Sequence, residues 1–361
     1  MSDVAGRVSV SVRPHPRGGG PTATGGGTDS SMPTSGPLVD RYGRVHDDVR
    51  VSVTDRCNLR CVYCMPEKGM TFQPRAALLS FEEIVRVAVV ARDLGVTSLR
   101  LTGGEPLVRK DLVTLVARLS ALGFRDLSLT TNATLLAPLA APLAAAGLRR
   151  VNISCDSLRP ERFAAIRRRG ELATVLSAMQ AAERAGLTPL KVNVVLLRGE
   201  NDDEVLDFAQ FARTTGRIVR FIEFMPLDAQ GEWDPARLVP GREIHDRIHA
   251  RWPLRAIDVG SVAPAERFAF VDGHGEIGLI SSVTQPFCGT CNRLRLTADG
   301  AIRNCLFSDD EVTLRDQMRA GASDETLALA FRRAVWAKFP GHAINEPEFL
   351  RPTRSMSMIG G

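Results

Sequence analysis

An α/β fold with a parallel sheet and helices outside it is what this chain predicts. Six short β-branched or apolar runs alternate with longer helical patterns up to about residue 223. Polar side chains gather at the ends of those runs. The alternation stops near residue 226, where Pro226, Pro235, Pro240, Pro253 and Pro264 break up the chain.

Residues 1–38 come first and differ from the rest. Two glycine triplets, Gly18 to Gly20 and Gly25 to Gly27, sit among Pro, Ser and Thr. Such a segment has too little apolar surface to offset its ordering entropy and is expected to be a disordered tail. Strands are expected near 50–54, 98–102, 126–130, 150–154, 190–196 and 217–223. Helices are expected near 80–94, 110–122, 138–146, 160–185 and 202–214. The first helix shows the logic. Ser80 caps it, Glu83 completes a capping box, and Ile84, Val85, Ala88 and Val89 recur on one face before Gly95 ends it. Right-handed crossovers wind such units in one direction. Six units are too few for an eight-stranded barrel, so a partial barrel and an open sheet both remain. In either, function belongs at the C-terminal ends of the strands. Residues 226–361, with a β-rich stretch around 267–283, are expected to cover one side of the sheet.

The chain has 361 residues, 44% of them hydrophobic, enough for one large domain with an extension. Its charge is 46 − 41 = +5, a modest excess that suits a polyanionic substrate without requiring one. No apolar run is long enough for a membrane helix, and the N-terminus lacks the apolar core of a secretory signal. Seven cysteines, an odd number, fit metal binding in a reducing cytoplasm better than a disulfide framework.

Six of the seven fall into two groups of three. Cys57, Cys61 and Cys64 follow the first strand with C-x3-C-x2-C spacing. Three thiolates so close together can hold three irons of a cubane, leaving the fourth open to a small molecule. A structural zinc site would want a fourth ligand, and His46, eleven residues before Cys57, is a poor one. Cys288, Cys291 and Cys305 repeat the pattern as C-x2-C-x13-C, with His274 a similarly weak fourth ligand. Arg293 and Arg295 follow Cys291 at a spacing that puts both on one side of an extended segment, an anion site in the making. Cys155 is left over and is expected to be a core thiol.

The other strand ends are polar as well. They carry Gly103-Gly104-Glu105-Pro106, Thr130-Thr131-Asn132, Ser154-Cys155-Asp156, and Glu223 to Pro226; the fifth strand opens with Lys191 and Asn193. Paired glycines at a strand end let backbone approach a ligand closely. Arg50, Arg100 and Lys191 lie on strands, where an unpaired charge is expensive unless an anion binds. Arg220 is similar in kind and a weaker candidate.

The first cysteine motif, with Tyr63 before its last Cys, resembles that of radical S-adenosylmethionine enzymes, as does Gly103-Gly104-Glu105-Pro106. The second group, read with Asn292-Arg293-Leu294-Arg295-Leu296-Thr297 and the terminal Gly360-Gly361, is similar to the GTP 3′,8-cyclase family. The likeness runs from about Tyr42 to Gly361. It implies an incomplete (βα)6 triose-phosphate-isomerase-like barrel over residues 39–225. It also implies a C-terminal domain over 226–361, carrying a second 4Fe-4S cluster and the GTP-binding segment. By motif register, Tyr63, Gly104, Ser154 and Met225 correspond to S-adenosylmethionine positions. Arg50, Arg100, Thr130, Lys191, Arg293 and Arg295 correspond to GTP positions. The resemblance gives the catalytic parts to Cys57, Cys61, Cys64, Arg293 and Arg295, and the two clusters to the six grouped cysteines. Cys155 departs from the apolar residue usual after the Ser154 position.

The implied reaction is radical conversion of GTP to a 3′,8-cyclised nucleotide in molybdenum cofactor biosynthesis. Implied too are an external electron donor, a monomer or homodimer, and a downstream cyclic pyranopterin monophosphate synthase, with no nucleic acid or membrane partner. A radical enzyme of another kind, such as a peptide modifier with an auxiliary cluster, is one rival reading. A non-catalytic iron–sulfur protein is the other.

Overall fold

The computed structural model describes residues 32–257, 263–347 and 349–360. The expected tail lies outside the described residues up to position 31, as does Gly361. The last part of the expected tail belongs to the folded body. Leu38 is buried, and Arg332 donates to the carbonyls of Gly36 at 2.6 Å and Pro37 at 3.3 Å. One leucine beside turn residues suffices to join the core, which composition averaged over 38 residues conceals.

The alternation is as expected. It runs β1 (Asp48–Ser52), α1 (Phe81–Asp93), β2 (Ser98–Thr102), α2 (Leu112–Ser120), β3 (Asp126–Thr131), α3 (Ala140–Ala145), β4 (Arg150–Ser154), α4 (Pro160–Arg167), α5 (Leu172–Arg184), β5 (Lys191–Leu196), α6 (Val205–Thr215) and β6 (Ile218–Glu223). Ser80 and Glu83 form the capping box of α1. The buried stripe of α1 includes Ile84, Val87, Ala88 and Ala91, with Val85 and Val89 at its margin. The single helix expected over 160–185 is two. The carbonyls of Ile166 and Arg167, at the end of α4, accept from the amides of Val62 (3.0 Å) and Arg60 (3.2 Å). The cysteine loop thus takes bonds the helix would have used to continue, and Arg168 turns away at φ 58°.

The C-terminal region supplies α7 (Gly241–Arg251), β7 (Leu254–Ile257), β8 (Glu266–Phe270), β9 (Glu276–Ile280), β10 (Arg293–Leu296), β11 (Ala301–Arg303), β12 (Glu311–Thr313), α8 (Arg315–Arg319), α9 (Asp324–Trp336) and α10 (Met356–Ile359). It does not cover one side of the sheet as expected. It lengthens the sheet at both edges, giving the order β12-β11-β10-β1-β2-β3-β4-β5-β6-β9-β8-β7. β10 runs parallel to β1 and β9 parallel to β6. Backbone groups on β1 and β6 that a closed barrel would pair with each other are satisfied by these strands instead.

Strand alternation separates two faces. Val49, Val51, Leu99, Leu101, Leu127, Leu129, Val151, Ile153, Val192 and Val194 are buried in the main apolar core. The intervening residues are mostly polar. Register aligns Arg303, Arg295, Arg50, Arg100, Ser128 and Arg150 across six neighbouring strands. A parallel sheet apolar on both faces would read as continuous hydrophobic runs. This one presents a charged face to the site.

Candidate functional site

The first cysteine loop is built by its neighbours. At Gly103, with φ 139°, a Cβ would lie 2.2 Å from Thr54 O, and at Gly104 it would lie 2.5 Å from Arg56 O. The glycine pair therefore exists so that the end of β2 can press against the cysteine loop. The Gly104 amide donates to Thr54 O at 2.9 Å. Glu105, buried next to it, accepts from Thr131 Oγ1 (2.7 Å) and from the amides of Asn132 (2.7 Å) and Leu107 (3.0 Å). Burial raises its carboxyl to about 7. Asn132 donates to Asn58 at 2.9 Å, fixing the loop from β3.

Two residues not assigned a role from sequence, Arg167 and Asp156, complete this corner. Arg167 lies in a run of three arginines that reads as solvated helix surface. It is instead buried, with Nη1 3.4 Å from Cys61 Sγ and Nη2 2.8 Å from Asp156 Oδ2. Asp156 also accepts from Tyr63 Oη at 2.7 Å and from the Val195 amide at 2.9 Å. Asp156 stood in the polar end of β4 and could have been found there. Arg167 could not.

A cavity of about 170 Å3 is lined by Cys57, Cys61, Cys64, Tyr63, Gly104, Ser154, Met225 and Thr130, so the cofactor positions named from sequence do converge. Met356 and Ser357 of α10 close one side of it.

The second group is assembled by a hairpin. β10 and β11 pair with Arg295 opposite Arg303. Continuing that register by two residues sets Cys305 opposite Arg293, two positions past Cys291. The x13 spacing is thus a hairpin's length. All three thiols line both an inner cavity of about 150 Å3 and an outer one of about 530 Å3. Arg44 donates to the carbonyls of Cys288 (2.7 Å), Pro340 (3.1 Å) and Phe339 (2.6 Å) and pairs with Asp40 at 2.6 Å, holding this turn in place. Among the described residues no three Cys, His, Asp or Glu side chains converge on one point as the ligands of a single ion would. Three thiolates in each group are the donor set of an iron–sulfur cluster with one iron left open. The weak fourth ligands are elsewhere. His46 is buried against Asp40 at 3.0 Å, and His274 is exposed in the β8–β9 turn. Cys155 is a fully buried core thiol, as expected.

The inner cavity is lined by Arg50, Arg100, Arg220, Arg293, Arg295 and Thr130, and among the described residues by no carboxylate. Burial and the neighbouring cations Arg100 and Arg295 push the Arg50 guanidinium well below its usual range. Burial, then Arg293, brings Arg295 down to about 9. Burial, then Arg100 and Arg150, does the same to Arg220, again to about 9. Lys191 sits on β5 one inward position before Asn193 and outside that lining; burial, then Arg220 and Arg150, lowers it to about 7. Arg295 also donates to the carbonyl of Gly360, and Ser52 Oγ donates to Ile359 O at 2.8 Å. The chain end therefore reaches this cavity. Thr130 and Met225 line both inner spaces, which adjoin.

Residues 51–212 match the family model of the radical SAM superfamily, and 217–344 match that of Molybdenum Cofactor Synthesis C. Streptococcus suis SuiB bound to its precursor peptide SuiA is similar in fold, with a TM-score of 0.58 at 14% identity over 88% of this chain and 76% of that one. The structure of anSMEcpe with bound AdoMet is similar at a TM-score of 0.54 and 15% identity, over 84% of this chain and 82% of that one. A GTP 3′,8-cyclase 2 of Mycobacterium tuberculosis is 48% identical over 91% of this chain and 94% of its own length. The GTP 3′,8-cyclase of Streptomyces coelicolor is 48% identical over 90% of this chain and 96% of its own length. Identity of that extent over nine-tenths of the chain means that the chain belongs to the GTP 3′,8-cyclase family of radical S-adenosylmethionine enzymes.

Proposed function

We propose how this chain divides the work of its family's reaction, the S-adenosylmethionine-dependent radical conversion of GTP to (8S)-3′,8-cyclo-7,8-dihydroguanosine 5′-triphosphate in the first step of molybdenum cofactor biosynthesis. Cys57, Cys61 and Cys64 hold one 4Fe-4S cluster, and Cys288, Cys291 and Cys305 hold another. Each group lacks a fourth thiol, so a bound cluster would keep one iron free for a small molecule, S-adenosylmethionine at the first group and the guanine base at the second. When bound and reduced, the first cluster supplies the electron for cleavage of S-adenosylmethionine to a 5′-deoxyadenosyl radical, which takes hydrogen from C3′ of GTP.

The protein's own part is to bind, orient and exclude water. Tyr63, pinned by Asp156, and Gly104, Ser154 and Met225 line the cofactor space. Arg50, Arg100, Arg293 and Arg295 take the triphosphate, joined by Arg220, and Thr130 lies where the two spaces meet. Lys191 adds charge from the layer beneath. The observation that carries this reading is the lining of the inner cavity: five arginines and, among the described residues, no carboxylate, beside the second thiol triad and adjoining the space lined by the first. Among the described residues no carboxylate is in ion-pair contact with these guanidiniums, which makes their burial costly, and a triphosphate supplies charge with matching oxygens. The reading divides the chain into an incomplete (βα)6 triose-phosphate-isomerase-like barrel up to residue 225 and a C-terminal domain over 226–361. The reading includes a cytoplasmic monomer or homodimer served by an external electron donor. It passes its product to a cyclic pyranopterin monophosphate synthase. No helix among the described residues is long and apolar enough to cross a membrane.

The test is anaerobic reconstitution with iron and sulfide, then incubation with S-adenosylmethionine, reductant and GTP. 5′-Deoxyadenosine and the cyclised nucleotide are expected, with GTP bound more tightly than ATP. Equal affinity for the two nucleotides, or no 5′-deoxyadenosine, overturns it.

A further inference from the structure

Lys338 follows α9 by two residues and is buried. An ammonium has three N–H donors. All three find acceptors here: Asn304 O at 2.8 Å, Arg293 O at 2.9 Å and Cys291 Sγ at 3.6 Å. These contacts tie together the β10 and β11 ends that carry Cys291 and Cys305. Among the described residues no carboxylate lies within ion-pair distance of Lys338, and its charged neighbours include Arg293 and Arg44. A buried ammonium among cations needs an anion. The thiolates of the second triad are the anions in reach.

Lys338 also stands apart from the substrate. It lines the outer cavity and not the inner one. Arg293, whose Nη2 is 3.5 Å from the same sulfur, lines the inner cavity and is the group that faces the nucleotide. The two cations therefore approach Cys291 from different sides.

We propose that Lys338 is a positioning residue of the second cluster, which holds the Cys291 and Cys305 legs together and raises that cluster's reduction potential with a fixed positive charge beside the Cys291 sulfur. Reduction adds one negative charge to a cluster already made negative by its thiolates. A nearby cation and an N–H···S bond stabilise the reduced form more than the oxidised one. The effect is independent of GTP, because Lys338 does not reach the inner cavity.

This inference rests on the second cluster of the proposed function. The test uses the full chain with Cys57, Cys61 and Cys64 replaced by Ala, which leaves only the second cluster to be read. After anaerobic reconstitution, this background is expected to hold about four irons per chain and to give one titrating paramagnetic signal. Lys338→Met in it is expected to shift the midpoint potential to more negative values, with or without GTP, and Lys338→Arg to restore it. A Met variant with full iron and the parent's potential overturns the inference, as does an equal shift in the Met and Arg variants. Should the Met variant lose its iron, recovery of iron in the Arg variant supports the charge role, and loss in both overturns it. A purely structural staple would lower the melting temperature and leave the potential where it was. A background that takes up no iron fails the second-cluster reading itself, which is a separate result.

Discussion

Around the first cysteine triad the charged neighbours include Glu105 and the Asp156–Arg167 pair; around the second they include Arg44, Arg293 and Lys338. Burial pushes the Cys57 thiol up to about 11, with Cys61 and Glu105 adding to it. At Cys291 burial pulls the same way, but Arg293 and then Lys338 outweigh it and bring the thiol down to about 6. The two triads offer the same number of ligands, but Cys57 and Cys291 sit in fields of opposite effect, while burial raises Cys288 as it does Cys57. A field that disfavours negative charge suits a centre that must give its electron away. A field that favours it suits a centre beside a polyanionic substrate.

The largest expected effects separate the two triads by product. Cys61→Ala is expected to bring 5′-deoxyadenosine formation down to background. Cys291→Ala is expected to keep it while abolishing cyclisation of GTP. Chromatography of both products checks this, and parallel loss of both in the two variants would erase the functional contrast.

Stability comes next. Arg167→Met strands the buried Asp156 carboxylate, a loss of about 3–5 kcal/mol, whereas Lys338→Met strands no carboxylate and is expected to lose less. Denaturant unfolding of the two variants, side by side, reads the difference.

A smaller effect is expected at the inner cavity. Arg220→Met removes a charged donor to the triphosphate and is expected to weaken GTP binding by about 10- to 150-fold, with S-adenosylmethionine binding unchanged. Isothermal calorimetry measures both.

An effect of comparable size is one of pH. Lys191 is lowered to about 7, so above that pH it is largely neutral in the free protein. A bound triphosphate recharges it. Binding then takes up a proton, and GTP affinity is expected to fall as pH rises from 7 to 9, by up to about tenfold per unit. Lys191→Met is expected to remove the part of the slope due to this residue. Calorimetry in two buffers of different ionisation enthalpy counts the proton.

Much of this was legible because it is local. The capping box at Ser80 and Glu83, the six alternations and the two cysteine spacings each concern residues close in sequence. The arginines were legible as charges on strands, where a solvated face was the competing reading. What escaped was contact between distant segments. Lys338 reaches Cys291 across 47 positions, and Arg167 reaches Cys61 across 106. The break between α4 and α5 was missed for the same reason, since carbonyls at the end of α4 are taken by amides near residue 60.

By itself the sequence determined the six strand–helix alternations, the polar strand ends and the two incomplete thiol sets, because periodicity and short spacings act through neighbouring residues. Only the tertiary structure decided that the C-terminal region would extend the sheet at both edges, and so set the second triad on a cavity that adjoins the one lined by the first. Strand pairing is chosen by which backbone edges remain unsatisfied once the rest has folded, and no local pattern records that choice.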